Sequence, residues 1–236
     1  GADAIYDIVD EKLEFRSHYK MPAPQLETEN CVAHNGSIVP VPGRDIFVQA
    51  WYQGGISVID FTDSSNPLEI AYFDRGPILE DELITGGYWS VYYYEGAIYG
   101  TEITRGLDVL KMIPSEYLSE NEIASAAMAY PIIGPRRVFN PQQQVPMTWP
   151  AAPEVALAYI DQLLRNKAIS EDAAERISDM LDQVKQAMDN GGDNRLARQI
   201  NNYRLSAKGA NVDALTQHRL EKLHTTLKGI AASLRD

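Results

Sequence analysis

An internal repeat runs through the first half of the sequence. Residues 45–59 align without gaps with residues 96–110 at an offset of 51, so that Gly55 falls on Gly106 and Val58 falls on Val109. Each copy consists of a hydrophobic run, a glycine-containing turn and a second hydrophobic run. This pattern predicts a β-hairpin in each copy, and repeated hairpins predict an architecture built from repeated sheets.

Two further matches extend the repeat and set its length. Residues 13–22 match residues 68–77 at an offset of 55, and residues 5–10 lie over residues 58–63, where both hydrophobic strands end in Asp-x-x-Asp. The unit therefore has four strands in about 50 residues, which is typical of a propeller blade. We predict one whole blade at roughly residues 31–76, half of a preceding blade and three strands of a following one.

On this alignment the opening residues fall inside the third strand of a unit. A propeller needs about four to eight blades to close, and fewer blades leave sheet faces and edges uncovered. The expected fold class of the first half is therefore all-β propeller blades from an incomplete propeller. The expected partners of these blades are missing N-terminal blades of the same protein.

The stretch 31–67 resembles the LVIVD-repeat β-propellers of bacterial and archaeal extracellular proteins. The signature consists of the hydrophobic strand that ends at Ile59, followed by Asp60, a spacer, Asp63 and then Asn66-Pro67. The resemblance covers residues 5–112, and the last copy departs from it because it lacks the Asp pair, which would suit a final blade. It implies an extracellular, periplasmic or cell-surface location and carries no known reaction.

Beyond residue 112 the composition changes twice. Residues 113–153 contain seven prolines and a Gln142-Gln143-Gln144 run, which predicts a connector with one short helix over 115–129 followed by extended geometry. Residues 154–236 have helical periodicity in four segments, which predicts an all-α four-helix module. The expected domains are therefore 1–112, 113–153 and 154–236.

The helical segments also resemble the FIMAH-type modules found at the C-termini of bacterial secreted proteins. The residues that carry this resemblance are Tyr159-Ile160, Ala168-Ile169-Ser170 and the leucine-rich run from Leu223 to Leu234. Such modules have no assigned activity, so the resemblance implies a supporting role in attachment or assembly.

The charge distribution argues against one class of partner. Acidic residues outnumber basic ones by 18 to 7 in residues 1–112, whereas the counts are 15 to 14 in residues 113–236. An acidic half lacks the basic face that nucleic-acid binding requires.

The sequence contains no run of 18 apolar residues, so it predicts no transmembrane segment. Cys31 is the only cysteine, so an intrachain disulfide is impossible, and a buried structural thiol is the expected state.

His34 is the strongest single candidate for chemistry. It lies near the predicted innermost strand of its blade, where a side chain can reach a central channel and act with Glu29 or Asn35. The alternative is a turn histidine, because Asn35-Gly36 is a turn signal.

Several aromatic side chains form a second candidate group. Trp51, Tyr52 and Trp89 have the size and ring faces to stack on sugars or partner side chains at a propeller mouth, and the alternative is packing between sheets. Glu102 and Arg105, at the turn of the second repeat copy, complete the candidate binding set. No catalytic residue and no metal ligand are assigned.

Acidic residues at 80–82, with Glu95 and Glu102, have the oxygen ligands that calcium takes, but no Asp-x-Asp-x-Asp-Gly spacing supports a calcium site. A solvated acidic loop is therefore the preferred interpretation, and no cofactor is expected. Sequence signatures of serine hydrolases, zinc proteases and phosphate-binding loops are absent. We therefore expect an exported or surface-exposed bacterial protein with a non-enzymatic binding or scaffold role toward a protein or glycan. The alternative is a channel-centred hydrolase or metal-dependent enzyme that uses His34 and nearby acidic residues.

Overall fold

The computed structural model describes residues 1–134, 140, 143, 145–209 and 212–235. The chain divides into two compact units, Gly1–Ile113 with Pro131–Met147, and Pro114–Tyr130 with Thr148–Asp236. The predicted connector therefore contributes to both units. Its predicted extended geometry falls partly on residues 135–139, 141–142 and 144, which lie outside the described residues.

The first unit contains three antiparallel sheets, which we call the first, second and third sheets in chain order. They have two, four and three strands, and strands that are consecutive in the chain are neighbours in each sheet. The strands are β1 (Asp3–Val9) and β2 (Lys12–Tyr19); β3 (Gly36–Val39), β4 (Ile46–Ala50), β5 (Ile56–Asp60) and β6 (Leu68–Phe73); and β7 (Tyr88–Tyr94), β8 (Ala97–Glu102) and β9 (Gly106–Leu110). The described strands do not close into a barrel or a ring.

The strand pairings confirm the repeat between the second and third sheets. Phe47 pairs with Ile59, and Ile98 pairs with Leu110, so both partners are displaced by the offset of 51 that the sequence predicts. Gly55 and Gly106 occupy the same turn and have φ angles of +84° and +97°. Because a left-handed backbone favours glycine, this turn explains why the residue recurs.

The first sheet corresponds to the last two strands of the second sheet. The β1–β2 ladder has a bulge between Ile5 and Tyr6, and the β5–β6 ladder has one between Val58 and Ile59, which are the aligned positions. The sequence alignment of β2 with β6 was wrong by one residue: Tyr6 pairs with Phe15 and Ile59 with Glu69, which gives an offset of 54 instead of 55. Register is set by turns and bulges rather than by residue identity.

Side-chain contacts hold the first sheet against the second. The Tyr19 hydroxyl donates to Glu69 Oε2 at 2.9 Å, and the Ser17 hydroxyl donates to the Ser64 carbonyl at 2.7 Å. The rings of Tyr19 and Trp51 lie 6.0 Å apart, and both residues are buried. These contacts join the end of β2 to the strands of the second sheet.

The first strand of the third sheet packs against the first two strands of the second sheet. Strand β7 contacts both β3 and β4, and the backbone N–H of Tyr93 donates to the Ser37 hydroxyl at 2.8 Å. Tyr52 and Tyr88 exchange backbone hydrogen bonds of 3.2 and 2.9 Å, which adds a short bridge between the two sheets.

The Asp-x-x-Asp signature has a structural explanation in the second sheet. Asp60 accepts hydrogen bonds from the backbone and hydroxyl of Thr62 and forms an ion pair with Arg44 at 2.5 Å. Burial on its own would raise the pKa of Asp60, but Arg44 and the Thr62 bonds hold that pKa below its usual value. Asp63 accepts from the backbone N–H of Ser65 and the amide of Asn66. Both carboxylates therefore stabilise the β5–β6 loop.

The second unit is helical. Its helices are α1 (Glu120–Ala127), α2 (Pro153–Arg165), α3 (Glu171–Asp189), α4 (Asn194–Asn202) and α5 (Ala214–Ser233). The four helices predicted after residue 153 are confirmed, and α3 begins after Ser170, whose hydroxyl accepts from the Ala173 N–H. The expectation of four helices was nevertheless incomplete, because the short helix predicted at 115–129 forms at α1 and packs on α2.

The helical core consists of leucine, isoleucine, valine and alanine side chains from α2 to α5, with Leu163, Ile177, Ile200 and Leu223 fully buried. Strands β10 (Tyr130–Pro131) and β11 (Met147–Thr148) pair with each other to form a separate two-stranded sheet among the described residues. Within the described residues, every helix is too short or too polar to span a lipid bilayer.

Candidate functional site

Three of the candidate residues meet in one aromatic cluster in the first unit. The ring of His34 lies 4.9 Å from the ring of Tyr52 and 4.7 Å from the ring of Trp89, and the Tyr52 and Trp89 rings are 5.9 Å apart. We call His34, Tyr52 and Trp89 the aromatic cluster. Its tilted and edge-to-face ring geometries are those that aromatic pairs favour.

Backbone hydrogen bonds hold two members of the aromatic cluster, His34 and Tyr52, in place. The His34 N–H donates to the Ala50 carbonyl at 3.0 Å, which extends the β3–β4 pairing beyond β3. Tyr52 has a φ of +53° and forms the bridge to Tyr88. A non-glycine residue in this region is uncommon, and such residues cluster at functional sites.

A bulge directs Trp89 outward. Tyr88 pairs with Glu102 and Ser90 pairs with Thr101, so Trp89 is an extra residue in β7 with no partner in that ladder. Bulges often redirect a side chain, and here the Trp89 side chain is left 52% exposed. The His34 ring is also exposed, whereas Tyr52 is half-buried. The cluster therefore presents ring faces to solvent.

One hydrogen bond sets the tautomer of His34. Nδ1 lies 2.5 Å from the backbone carbonyl of Trp89, and because a carbonyl can only accept, Nδ1 must carry the proton. In the neutral ring, Nε2 is then a hydrogen-bond acceptor. The cluster thus offers aromatic faces and one ring nitrogen that can accept from a hydroxyl.

The other tryptophan candidate is in the core. Trp51 is 1% exposed and packs with Tyr19 and Ile59. Its neighbour Tyr52 belongs to the exposed cluster, so the two adjacent residues have different surroundings. The structure therefore places Trp51 in the packing between sheets, which was the alternative interpretation for the aromatic candidates.

The acidic candidates are engaged in local structure. Glu29 Oε2 accepts from the Leu26 N–H at 2.7 Å. The Glu102 side chain is buried and accepts from the Gly87 N–H at 2.6 Å, from Thr104 and from the Arg105 N–H. Glu102 therefore holds the β8–β9 turn against the residues that precede Trp89. Arg105 is exposed at that turn.

The enzymatic alternative pairs His34 with nearby acidic residues, and the observed contacts of the His34 ring are of a different kind. The interactions that fix the His34 ring are the Trp89 carbonyl and two aromatic rings. Residues 80–82 are exposed, and no group of three His, Cys, Asp or Glu side chains in the described part of the chain is arranged to hold a metal ion.

Cys31 is half-buried. Its thiol donates to Gln25 Oε1 at 3.1 Å. Burial, together with the charges of Glu29 and Asp74, raises the pKa of Cys31 to about 11. Since the thiolate is the reactive form, this environment disfavours a nucleophilic role near neutral pH.

Sequence reasoning missed one ionic cluster, formed by residues far apart in the chain. Arg75 makes two hydrogen bonds of 2.7 Å to the Asp108 carboxylate, and the Tyr88 hydroxyl donates to the same carboxylate at 2.5 Å. The hydrogen bonds from Arg75 are the main reason that the pKa of Asp108 lies below its usual value. This cluster joins the segment after β6 to the third sheet.

Searches against family models, curated proteins and solved structures found no match to the chain.

Proposed function

We propose that this chain is part of an exported or surface-exposed bacterial β-propeller of the LVIVD-repeat type with a non-enzymatic binding role. The first unit contributes consecutive blades, and further N-terminal blades of the same protein complete the ring. The second unit is a FIMAH-like helical module that supports attachment or assembly. The aromatic cluster is the binding surface, and its ligand is a glycan.

The propeller architecture is supported by the repeat and by two uncovered sheet faces. The outward face of the first sheet exposes Ile8 (78%) and Leu13 (69%), and the third sheet exposes Leu107 (62%) and Val109 (56%). Contiguous exposed apolar residues are characteristic of surfaces that contact another partner. Faces at both ends of a row of packed sheets are where additional blades would lie.

The observation that carries the binding role is the mutual contact of His34, Tyr52 and Trp89 on an exposed surface. Exposed aromatic rings on a rigid backbone provide apolar area for stacking at a low cost in conformational entropy. Sugar rings present apolar C–H faces for stacking, and their hydroxyl groups match the free acceptor of His34. A glycan therefore satisfies both features of the cluster.

Trp89→Ala is expected to weaken glycan binding at least tenfold, which corresponds to about 1.4 kcal/mol, because it removes the largest aromatic side chain of the cluster, which is 52% exposed. The full chain is titrated with cellohexaose, chitohexaose and xylohexaose, and binding is monitored by tryptophan fluorescence and by calorimetry. Trp89→Phe should retain most of the affinity, since it keeps a ring.

Tyr72→Ala is the matched control, because Tyr72 is 74% exposed and lies in β6, outside the cluster. Failure of all three oligosaccharides to bind, or equal losses in Trp89→Ala and Tyr72→Ala, would refute the glycan-binding role. Cleavage of a bound oligosaccharide that is lost in His34→Ala would favour the enzymatic alternative.

A further inference from the structure

The first sheet has one unpaired edge. In the second sheet, β5 pairs with β4 on one side and with β6 on the other. Strand β1 occupies the position of β5 in the repeat, but within the described residues it pairs only with β2. The position that corresponds to β4 is therefore open.

The repeat identifies a backbone donor at this edge. In the second sheet, the Phe61 N–H donates to the Asp45 carbonyl at 2.9 Å across the β4–β5 ladder. The alignment of residues 5–10 with 58–63 places Ile8 at the position of Phe61. The Ile8 N–H is therefore the donor that a strand added to β1 would engage. Exposed strand edges are ready templates for such pairing.

A cavity lies beside the same edge. It has a volume of about 410 Å³ and lies between β1, with Asp3 and Tyr6, and the face of the second sheet that carries Phe47 and Gln49. Asp3 Oδ2 is buried and has no hydrogen-bond partner among the described residues. The space is thus lined mostly by apolar and aromatic side chains, together with Gln49 and the Asp3 carboxylate, whose buried oxygen lacks a donor among the described residues.

The second sheet shows what would fill such a space. On the opposite face of β4, Ile46, Val48 and Ala50 are 0% exposed, and β4 contacts β7 of the third sheet. By the repeat, the strand that pairs with β1 would direct its equivalent alternate residues toward the second sheet. Those side chains would enter the cavity over Phe47 and Gln49.

We propose that the free edge of β1 binds an additional β-hairpin of the same repeat, whose inner strand pairs antiparallel with β1 and fills the adjacent cavity with alternate apolar side chains. The inner strand of this hairpin would pair with β1 as β4 pairs with β5 in the second sheet. The inference rests on the proposed propeller organisation and is independent of ligand binding at the aromatic cluster.

The β3–β4 hairpin can serve as a probe, because it occupies the equivalent position beside β5 in the second sheet. A synthetic peptide of residues 36–50 is titrated into the ¹⁵N-labelled full chain, and amide shifts and hydrogen exchange are recorded. Chemical-shift changes are expected in β1 and around Phe47 and Gln49, with slower exchange of the Ile8 amide. A peptide with Val48→Lys should bind at least tenfold more weakly, because it places a charge in the cavity.

Ile8→Pro in the full chain removes only the outward N–H, and proline is tolerated on a strand edge where the N–H faces solvent. This variant should bind the peptide at least tenfold more weakly than Ile8→Ala. If Ile8→Pro disturbs the first sheet, the Val48→Lys peptide still tests the proposal on the unmodified chain.

The proposal is overturned if the peptide causes no shift changes in β1, or if the Val48→Lys peptide binds equally well. It is also overturned if the β1 edge is occupied by a second copy of the chain, detected as a dimer with β1 amides protected before peptide is added. Trp89→Ala should leave peptide binding unchanged. Loss of glycan binding and loss of hairpin binding are therefore separate results.

Discussion

Gly87→Ala is expected to destabilise the first unit by about 4 kcal/mol, since it combines backbone strain with overpacking. Gly87 has a φ of +87°, and a Cβ atom there would lie 1.9 Å from the Tyr52 carbonyl carbon and 2.1 Å from the Gln53 nitrogen. Both are backbone atoms and cannot move without disrupting the Tyr52–Tyr88 bridge. The loss is measured by urea unfolding monitored by tryptophan fluorescence, in a Trp149→Phe background so that Trp51 and Trp89 report on the first unit.

Gly106→Ala separates backbone strain from overpacking. Gly106 has a similar φ of +97°, but nothing lies within 4 Å of the position of an added Cβ. Its substitution should therefore cost only the backbone strain, about 1 kcal/mol. Equal losses in the two variants would show that close contact between the second and third sheets at Gly87 is not what requires glycine there.

Glu122→Gln is expected to destabilise the helical unit by about 3 kcal/mol. Glu122 is 0% exposed, and its carboxylate forms hydrogen bonds of 3.1 and 2.5 Å to the two terminal nitrogens of Arg165. The amide leaves Arg165 without its counter-charge, and breaking a buried pair typically costs about 3–5 kcal/mol. The lower end applies because Arg165 is 29% exposed and keeps contact with water. Urea unfolding followed by circular dichroism at the helical band measures the loss.

Glu154→Gln provides the control in the same unit. The Glu154–Lys185 pair has a length of 3.3 Å, and its side chains are 30% and 40% exposed. An exposed pair contributes about 0–1 kcal/mol, so this variant should unfold close to the unmodified chain. If Glu122→Gln and Glu154→Gln lose the same stability, α1 is not anchored by the buried pair.

The repeat could be predicted from the sequence because it is encoded in local features. Glycine at the turn and alternating hydrophobic residues recur at a fixed offset, and the pairings of Phe47 with Ile59 and Ile98 with Leu110 follow from them. The register of β2 could not be predicted from residue matches, because the β1–β2 turn at Asp10 and Glu11 uses two positive φ angles and is shorter than the β5–β6 loop. Turn geometry decides register.

The aromatic cluster could be predicted only in part. His34, Tyr52 and Trp89 were candidates as residue types, but their meeting depends on the bridge between the second and third sheets and on the bulge at Trp89. Neither has a local sequence signal. Trp51 has the same residue type as Trp89 and is buried instead, so composition cannot distinguish a packing ring from an exposed one.

The position of Glu122 at the start of α1 has a local sequence signal. Ser119 and Glu122 form a capping box at the start of α1, and this spacing is readable before a structure is known. The ion pair with Arg165 was not predictable, because it joins α1 to α2 across 43 residues. The proline content of the segment predicts a connector, whereas tertiary packing makes α1 part of the helical unit.

Cross-strand nuclear Overhauser effects test the repeat of the β sheets most directly. The bond between the Phe61 N–H and the Asp45 carbonyl fixes the alternation of pairs in the β4–β5 ladder, so Val48 and Val58 are a close pair without hydrogen bonds between them. The repeat makes Tyr99 and Val109 the equivalent pair. We expect strong Hα–Hα contacts for both pairs in the labelled full chain. A contact from Tyr99 to Asp108 or Leu110 in place of Val109 would contradict the equivalence of the second and third sheets.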